Sequence, residues 1–265
     1  MTSANAGLHV VRDGEVATLV INRPEQRNAV SYSMWERIPG MLRELDDDPA
    51  VRVVLIRGEG EKAFSAGADI KDFEQTRSTP ERAQTYRAAV EGACEALCAL
   101  NKPTIASIRG YCIGGGFELA LCADLRIADD TAQLGLPAAK RGLAVGHSIV
   151  GLLFHVAGAG NASYLLLSGR LVDAREALRM GLLNTVHPAA DFNAAVRQLA
   201  DEMATLSPVS HRTHKRVIHD LIDYGGAAQV PPEKLAAVEL TEASEDFHEG
   251  VRSFLEKRPP RFTGC

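Results

Sequence analysis

The sequence predicts an α/β fold on a mostly parallel sheet. Three observations carry that expectation. Short β-rich runs alternate with helical stretches through the first half of the chain. The last third reads almost entirely as helix. The composition, 46% hydrophobic and 24% charged over 265 residues, is that of a globular protein and too apolar for disorder. Strand–helix–strand order favours parallel pairing with right-handed crossovers. A chain of this length buries about 70–75% of its unfolded surface, so no metal or disulfide is needed to build the core.

The elements follow in order. Segment 16–21 is β-rich and comes after Asp13-Gly14, a hairpin signal. Ser33 and Glu36 have capping-box spacing and open an apolar series Met34, Ile38, Met41, Leu42, Leu45 at helical intervals. Pro39-Gly40 inside that series predicts a kinked or late-starting helix. Segment 51–56 has few polar interruptions, as expected of a strand covered on both faces. Thr79 and Pro80 supply an N-cap and first helical position for a helix to about Leu100. A strand is expected at 104–108, a short helix at 117–122 after Gly114-Gly115-Gly116, and strands at 125–128 and 132–135. Beyond Gly146 one strand is expected near 183–186, with helices at 191–206, 208–223, 231–240 and 244–257. No internal repeat or low-complexity segment is legible.

Charge and cysteine usage narrow the function. The net charge is −5 and no long Lys/Arg run is present, which argues against nucleic acid as a partner. Cys94, Cys98, Cys112, Cys122 and Cys265 are an odd count without framework spacing, read as reduced thiols of an intracellular protein. Met1 to Gly7 has neither a basic nor an apolar leader region, and no apolar run approaches 18 residues. A cytoplasmic protein with no membrane span is expected.

Two stretches can carry chemistry. In Lys62-Ala63-Phe64-Ser65-Ala66-Gly67-Ala68-Asp69-Ile70-Lys71, small side chains follow a strand and let a ligand approach free backbone N–H groups. In Gly110-Tyr111-Cys112-Ile113-Gly114-Gly115-Gly116-Phe117-Glu118, a glycine triplet opens a helix and exposes unpaired N–H groups at its positive end. No Lys-Ser/Thr pair follows, so it is not a phosphate-binding Walker loop, and it lacks the dinucleotide fingerprint. Glu118 stands among Phe117, Leu119, Ala120 and Leu121, which favours a buried, functional acid over a solvated one.

Together these stretches resemble the crotonase superfamily of enoyl-CoA hydratases and isomerases. Asn22-Arg23-Pro24-Glu25-x-Arg27-Asn28-Ala29 is similar to its N-terminal signature. Ala66-Gly67-Ala68-Asp69 and Gly114-Gly115-Gly116-Phe117-Glu118 resemble its two oxyanion loops. Ser168-Gly169-Arg170, Ala174-x-x-Ala177-x-x-x-Gly181-Leu182, Glu245-Asp246-Phe247-x-Glu249-Gly250 and 254–258 resemble its middle and end. The resemblance implies a crotonase-like ββα spiral core, expected over 1–200, and a helical C-terminal trimerisation region over 201–265 that also covers the active site. It implies an acyl-CoA substrate, with coenzyme A entering as part of it, no resident cofactor or metal, and a homotrimer or dimer of trimers. It assigns the thioester oxygen to the N–H groups of Ala68 and Gly115, and proton transfer to Glu118. Ala66, Asp69 and Ile70 are placed near adenine and pantetheine, and Arg27, Lys62 and Lys71 are candidates for the CoA phosphates. Tyr111, Ile113, Gly114, Pro137 and Ala138 are further contacts, and Phe262, with Lys257, is expected to reach the adenine from a neighbouring subunit. Tyr86, Ile113, Phe117 and Leu143 are expected to shape the acyl pocket.

One departure matters. Hydratases of the family use a second glutamate after a proline, where this chain reads Gly135-Leu136-Pro137-Ala138. Hydration must place a water, add hydroxide at the β-carbon and a proton at the α-carbon, a task for paired acid–base groups. With Ala138, Glu118 works alone, or His147, Lys140 or Glu91 replaces the acid, or hydration is slow or lost. Hydratase/isomerase activity is the leading reading; double-bond isomerisation, hydrolysis or decarboxylation of a β-oxo acyl-CoA, and acyl-CoA binding without catalysis are the alternatives. A nucleophile elbow at Gly146-His147-Ser148-Ile149-Val150-Gly151 fails because the second glycine is one residue late. His211, His214 and His219 share a basic segment and read as solvated, not as a metal set. Cys94, Cys98 and Trp35 read as packing residues.

Overall fold

The computed structural model describes residues 7–265, so the reading of the first six residues lies outside the described ones. Ten strands form two sheets. The large sheet has the order β1 (Leu8–Asp13), β2 (Val16–Ile21), β3 (Val53–Gly58), β5 (Thr104–Ile108), β7 (Leu125–Asp129), β10 (Thr185–His187). The small sheet has the order β4 (Ala63–Ser65), β6 (Tyr111–Ile113), β8 (Gln133–Gly135), β9 (Val172–Asp173). The hairpin closes between Asp13 and Val16, with Gly14 at φ 59°. From β2 through β10 the large sheet pairs in parallel.

The helices complete a spiral. They are α1 (Tyr32–Asp47), α2 (Phe73–Thr76), α3 (Pro80–Cys98), α4 (Gly115–Leu121), α5 (His147–Ser168), α6 (Ala174–Arg179), α7 (Phe192–Ala204), α8 (Pro208–Tyr224), α9 (Pro232–Leu235), α10 (Ala237–Glu242) and α11 (Glu245–Leu255). Three times a strand of the large sheet runs into a short strand of the small sheet and then into helix: β3–β4–α2/α3, β5–β6–α4 and β7–β8–α5. This is the ββα spiral the resemblance implies. The first turn folds back tightly, since a Cβ on Gly58 would stand 2.3 Å from the Ala63 carbonyl oxygen.

The main core lies under α1, α3 and α4, with Trp35, Phe64, Tyr86, Phe117 and Leu134 buried in it. A second cluster packs Phe192, Val196, Ala200 and Ala204 of α7 on Val16, Val53, Leu55, Ile105 and Ile127. The expected division at 200/201 falls inside this helix. Further on, α8 is fastened to the core by Lys215, whose Nζ lies 2.8 Å from Asp124 and donates to the Lys102 carbonyl at 3.0 Å.

Several local expectations are corrected. The capping box does not form: α1 opens two residues earlier than that spacing requires, Ser31 is its N-cap, and Ser33 lies inside the helix. Pro39 sits within an unbroken α1, whose buried stripe Met34, Trp35, Ile38, Leu42, Leu45 runs through it. Tertiary packing of that stripe outweighs the hydrogen bond the proline removes. The segment expected as one helix over 231–240 is two short ones, α9 and α10. The three-residue strands β4 and β6 carry too few residues for an alternation to be read. Finally, α5 is long and apolar enough to cross a membrane by length and composition, with mean hydropathy 1.5 over its window, against the reading that no such run exists. Gly158, at φ 75° and ψ 163°, interrupts it, and Ile149, Leu153, Ala162 and Leu165 bury one face on the core.

The C-terminal motif has a structural role. Asp246 accepts from Ser207 Oγ at 2.8 Å and from the backbone N–H groups of Thr263 (2.8 Å) and Gly264 (3.0 Å). Glu249 binds Arg258 and the Arg261 N–H, both from the chain end. Burial alone would raise the Asp246 carboxyl, but these donors bring it below the ordinary range. Its stabilisation is therefore present at neutral pH and fades as acid protonates it. Asp246→Ala leaves two N–H groups unpaired, at a cost of about 1–3 kcal/mol. Scanning calorimetry is expected to show Tm lower by on the order of 5 °C.

Candidate active site

The first loop of the site follows β4. Nearly all its N–H groups are committed: Ala66 N donates to Arg27 O (2.9 Å), Gly67 N to Ser65 Oγ (3.1 Å), Asp69 N to Val30 O (3.0 Å) and Lys71 N to Asp69 Oδ1 (3.1 Å). Gly67 O in turn accepts from Val30 N at 2.8 Å. These bonds clamp the peptides on both sides of Ala68. Among the described residues, the Ala68 N–H has no acceptor. Gly67 holds φ 96°, open to glycine at little cost, and a Cβ there would meet the Ile113 carbonyl oxygen at 2.7 Å.

The N-terminal signature buttresses this loop. Arg23 pairs with Asp69 Oδ2 at 2.8 Å and donates to Ala29 O at 2.8 Å. Asn28 Nδ2 donates to Glu59 O (2.9 Å) and Ala63 O (2.7 Å), and its Oδ1 accepts from Arg23 N (3.0 Å). The Asp69 carboxylate, expected near adenine, is thus occupied by Arg23 and by Lys71 N. Arg23 and Asn28 were legible as a pattern but not as struts, because their partners are backbone groups far along the chain.

The second loop joins β6 to α4. Gly114 takes φ 54° and ψ −128°, and its N–H donates to Gly135 O at 2.9 Å. Gly115 then opens α4, leaving its N–H without an intrahelical acceptor. Close approach excludes a side chain here: a Cβ on Gly115 would lie 3.0 Å from Trp35 Cζ2 and 3.6 Å from Ala68 N. One on Gly116 would lie 2.5 Å from Ser65 Cβ. The two loops therefore abut, and two uncommitted N–H groups meet beside Trp35.

Glu118 stands in the first turn of α4, half-buried over Phe117. Its carboxylate makes no hydrogen bond or ion pair among the described residues. Burial raises its pKa, and the Arg77 guanidinium works against that shift. A base must be ionised to act, so kcat/KM is expected to fall as pH drops through a midpoint above the usual glutamic-acid value of 4.5. Arg77→Met removes the opposing charge and is expected to move that midpoint further up, as a pH–rate profile reads directly.

The other expected residues divide into groups. Pro137 and Ala138 lie in a 3₁₀ turn after β8, next to the Gly114–Gly135 hydrogen bond. His147, Lys140 and Glu91 are exposed, and none is bonded to Glu118. Arg27, Lys62 and Tyr111 meet in a cavity of about 620 Å³ that also involves Arg109 and Asp129. It opens at the start of β6, the opposite end of that strand from Gly115. Arg27 stacks over the Tyr111 ring at 5.1 Å, and neither it nor Lys62 has a carboxylate partner among the described residues. Lys71 and Ile70 are exposed outside that cavity. Phe262 packs near Gly250 of its own α11, and its carbonyl accepts from Arg52 at 2.7 Å. Tyr86 and Phe117 are fully buried, whereas Leu143 is 36% exposed. The five cysteines are free thiols, and among the described residues no group of three or more His, Cys, Asp or Glu is placed to hold a metal.

Arg77 escaped the sequence reading. It lies in a polar run after α2, with nothing in its neighbours to separate it from solvated charge. Only the fold brings it over Tyr86 and within electrostatic range of Glu118.

Comparison with known proteins shows similarity in sequence and in fold along most of the chain. The sequence model of the enoyl-CoA hydratase/isomerase family matches residues 12–265. A probable enoyl-CoA hydratase of Mycobacterium bovis is 35% identical over 254 residues, covering 96% of each chain. A crotonyl-CoA hydratase of Syntrophomonas wolfei is 33% identical over 253 residues, 95% of each. The crystal structure of an enoyl-CoA hydratase/carnithine racemase from Magnetospirillum magneticum superposes with a TM-score of 0.93 at 34% identity, covering 98% of this chain and 96% of that one.

Proposed function

The chain belongs to the enoyl-CoA hydratase/isomerase family, and from that premise we propose that it turns over acyl-CoA thioesters through an enolate, with Glu118 as the one carboxylate that moves the proton. The thioester oxygen sits between the Ala68 and Gly115 N–H groups. The observation that carries this reading is the meeting of those two uncommitted donors one helical turn from a partnerless, half-buried acid. Charge develops on the thioester oxygen only as the α-proton leaves. Donors fixed beforehand in a water-poor site favour that state by about 2.7–4 kcal/mol each.

With Ala138 in place of a second acid, the step best supported is proton transfer along the acyl chain. Glu118 takes a proton from C2 of a 3-enoyl thioester and the C–H electrons move onto the thioester oxygen. The electrons return through C2–C3, the double bond shifts to C2–C3, and Glu118 delivers the proton to C4. Atoms and charge balance without a co-reactant, and coenzyme A takes part only as the carrier. Arg27 and Lys62 receive CoA phosphates; their lack of carboxylate partners in a shared cavity supports this.

Hydration is the second reading, favoured by the names of the related hydratases. Incubation of crotonyl-CoA and 3-butenoyl-CoA in H₂¹⁸O, with the isomers resolved by chromatography before mass spectrometry, separates the two. Conversion of 3-butenoyl-CoA to crotonyl-CoA, with little labelled water gained, is the expected result. Rapid gain of one labelled water from crotonyl-CoA would overturn the single-acid reading, and binding without turnover of either would leave a binding protein.

The apolar exposure of the chain supports an assembly. Leu167 (83%), Phe254 (82%), Leu255 (74%) and Leu240 (71%) face outward from α5, α10 and α11. Phe254 and Leu255 line one groove with Phe247, Val251 and Phe262, and an apolar surface of this kind marks an interaction site. Other copies cover it in a homotrimer or a dimer of trimers, with residues 201–265 supplying the contacts. In that assembly Phe262 and Lys257 reach a neighbour's adenine.

A further inference from the structure

We propose that Arg77 selects acyl-CoA thioesters whose acyl chain carries a second carboxylate. This rests on the reading of the Ala68–Gly115–Glu118 site as an acyl-CoA site. The Arg77 guanidinium carbon lies 4.1 Å from the centre of the Tyr86 ring and 4.3 Å from that of Phe73. The two rings meet edge to face at 5.7 Å. The cation is therefore held by stacking, yet no carboxylate pairs with it among the described residues.

Its surroundings are short of acceptors. Arg77 Nε, Tyr86 Oη and Trp35 Nε1 are the buried side-chain polar atoms without a hydrogen-bond partner among the described residues. All three belong to one cluster. Tyr86 is fully buried, with both the Trp35 indole and the Arg77 guanidinium close enough to act on its phenol. The Trp35 ring edge touches Gly115, and Arg77 acts on the Glu118 charge. A guanidinium and an indole N–H only donate, so the one acceptor these three side chains hold is the Tyr86 phenol oxygen, toward which both Trp35 and Arg77 are directed. One phenol oxygen cannot satisfy an indole N–H and a guanidinium fork in good geometry, and poorly paired buried donors are costly, so the cluster favours a ligand that brings acceptor oxygens.

A plain alkyl chain brings none and would leave the half-buried guanidinium without an anionic partner. A carboxylate brings two oxygens in the geometry a guanidinium fork matches, and the stacked guanidinium loses little freedom on pairing. The CoA phosphates have a separate cavity at the far end of β6, lined by Arg27 and Lys62. The anion near Glu118 is thus on the acyl side of the thioester, and close to it, as in a short dicarboxylic acyl group.

Calorimetric titration of the full chain with glutaryl-CoA and butanoyl-CoA tests this, since both are saturated and neither presents a double bond to move. The wild type is expected to bind glutaryl-CoA at least ~10-fold more tightly, in keeping with a charge-assisted pair. In Arg77→Met that ratio falls to about one, and Arg77→Lys, which keeps the charge but not the fork, retains part of it. Equal wild-type affinities would overturn the inference and leave the acyl-CoA reading standing. So would equal weakening of both ligands by Arg77→Met, which would place Arg77 on the shared CoA portion. Binding of neither thioester would overturn both.

Discussion

Glu118→Gln is expected to lower kcat by about 10²–10⁴-fold, the range for loss of a positioned general base. The amide keeps the shape of the carboxylate but cannot accept the α-proton. The carboxylate makes no hydrogen bond or ion pair among the described residues, so the fold loses nothing by the change. Removing a charge from a site that raises its pKa by burial also favours the folded state slightly. An unchanged or higher Tm is therefore expected beside the loss of turnover, with thioester affinity within a few-fold of wild type. A fall in Tm and activity together would mark Glu118 as a packing residue instead.

Gly115→Ala is the second large effect. The new methyl would stand 3.0 Å from Trp35 Cζ2 and 3.6 Å from Ala68 N, in the space where the thioester oxygen is to sit. The fully buried indole has little room to yield. Displacing the oxygen from one donor is expected to cost about 10²–10³-fold in kcat. Gly92→Ala in α3 is the control, because a Cβ there meets nothing within 4 Å. It is expected to keep full activity and to gain stability of about 0.4–1 kcal/mol. Steady-state kinetics on 3-butenoyl-CoA with both variants reads the contrast, and equal rates would remove Gly115 from the oxyanion site.

Much of this site could be read from residues alone. Gly114-Gly115-Gly116 is legible because each glycine answers a separate demand: a positive φ, a gap beside Trp35, and contact with Ser65. Glu118 is legible because an acid among Phe117, Leu119 and Leu121 has little reason to be there. The long strands of the large sheet declare themselves by their apolar runs. The small sheet does not, since β4 and β6 have three residues each, yet their ends aim both loops. Roles made by distant partners were also hidden. Asp69 looks like a ligand residue until Arg23 is seen against it, 46 positions earlier in the chain. Arg77 looks like surface charge until α3 brings Tyr86 beneath it. In α1, the local signals from Ser33 and Pro39 were both outweighed by one buried stripe, a case of tertiary packing overriding local propensity.

In the proposed reaction one carboxylate both removes and delivers the proton. The most direct measurement follows the label of 2,2-dideuterated 3-butenoyl-CoA in ordinary water, by NMR and mass spectrometry, in wild type and Glu118→Gln. Part of the deuterium is expected at C4 of crotonyl-CoA in the wild type, carried by Glu118, and almost none in the variant. Transfer at an unchanged rate in Glu118→Gln would contradict it, and so would wild-type product with no deuterium at C4.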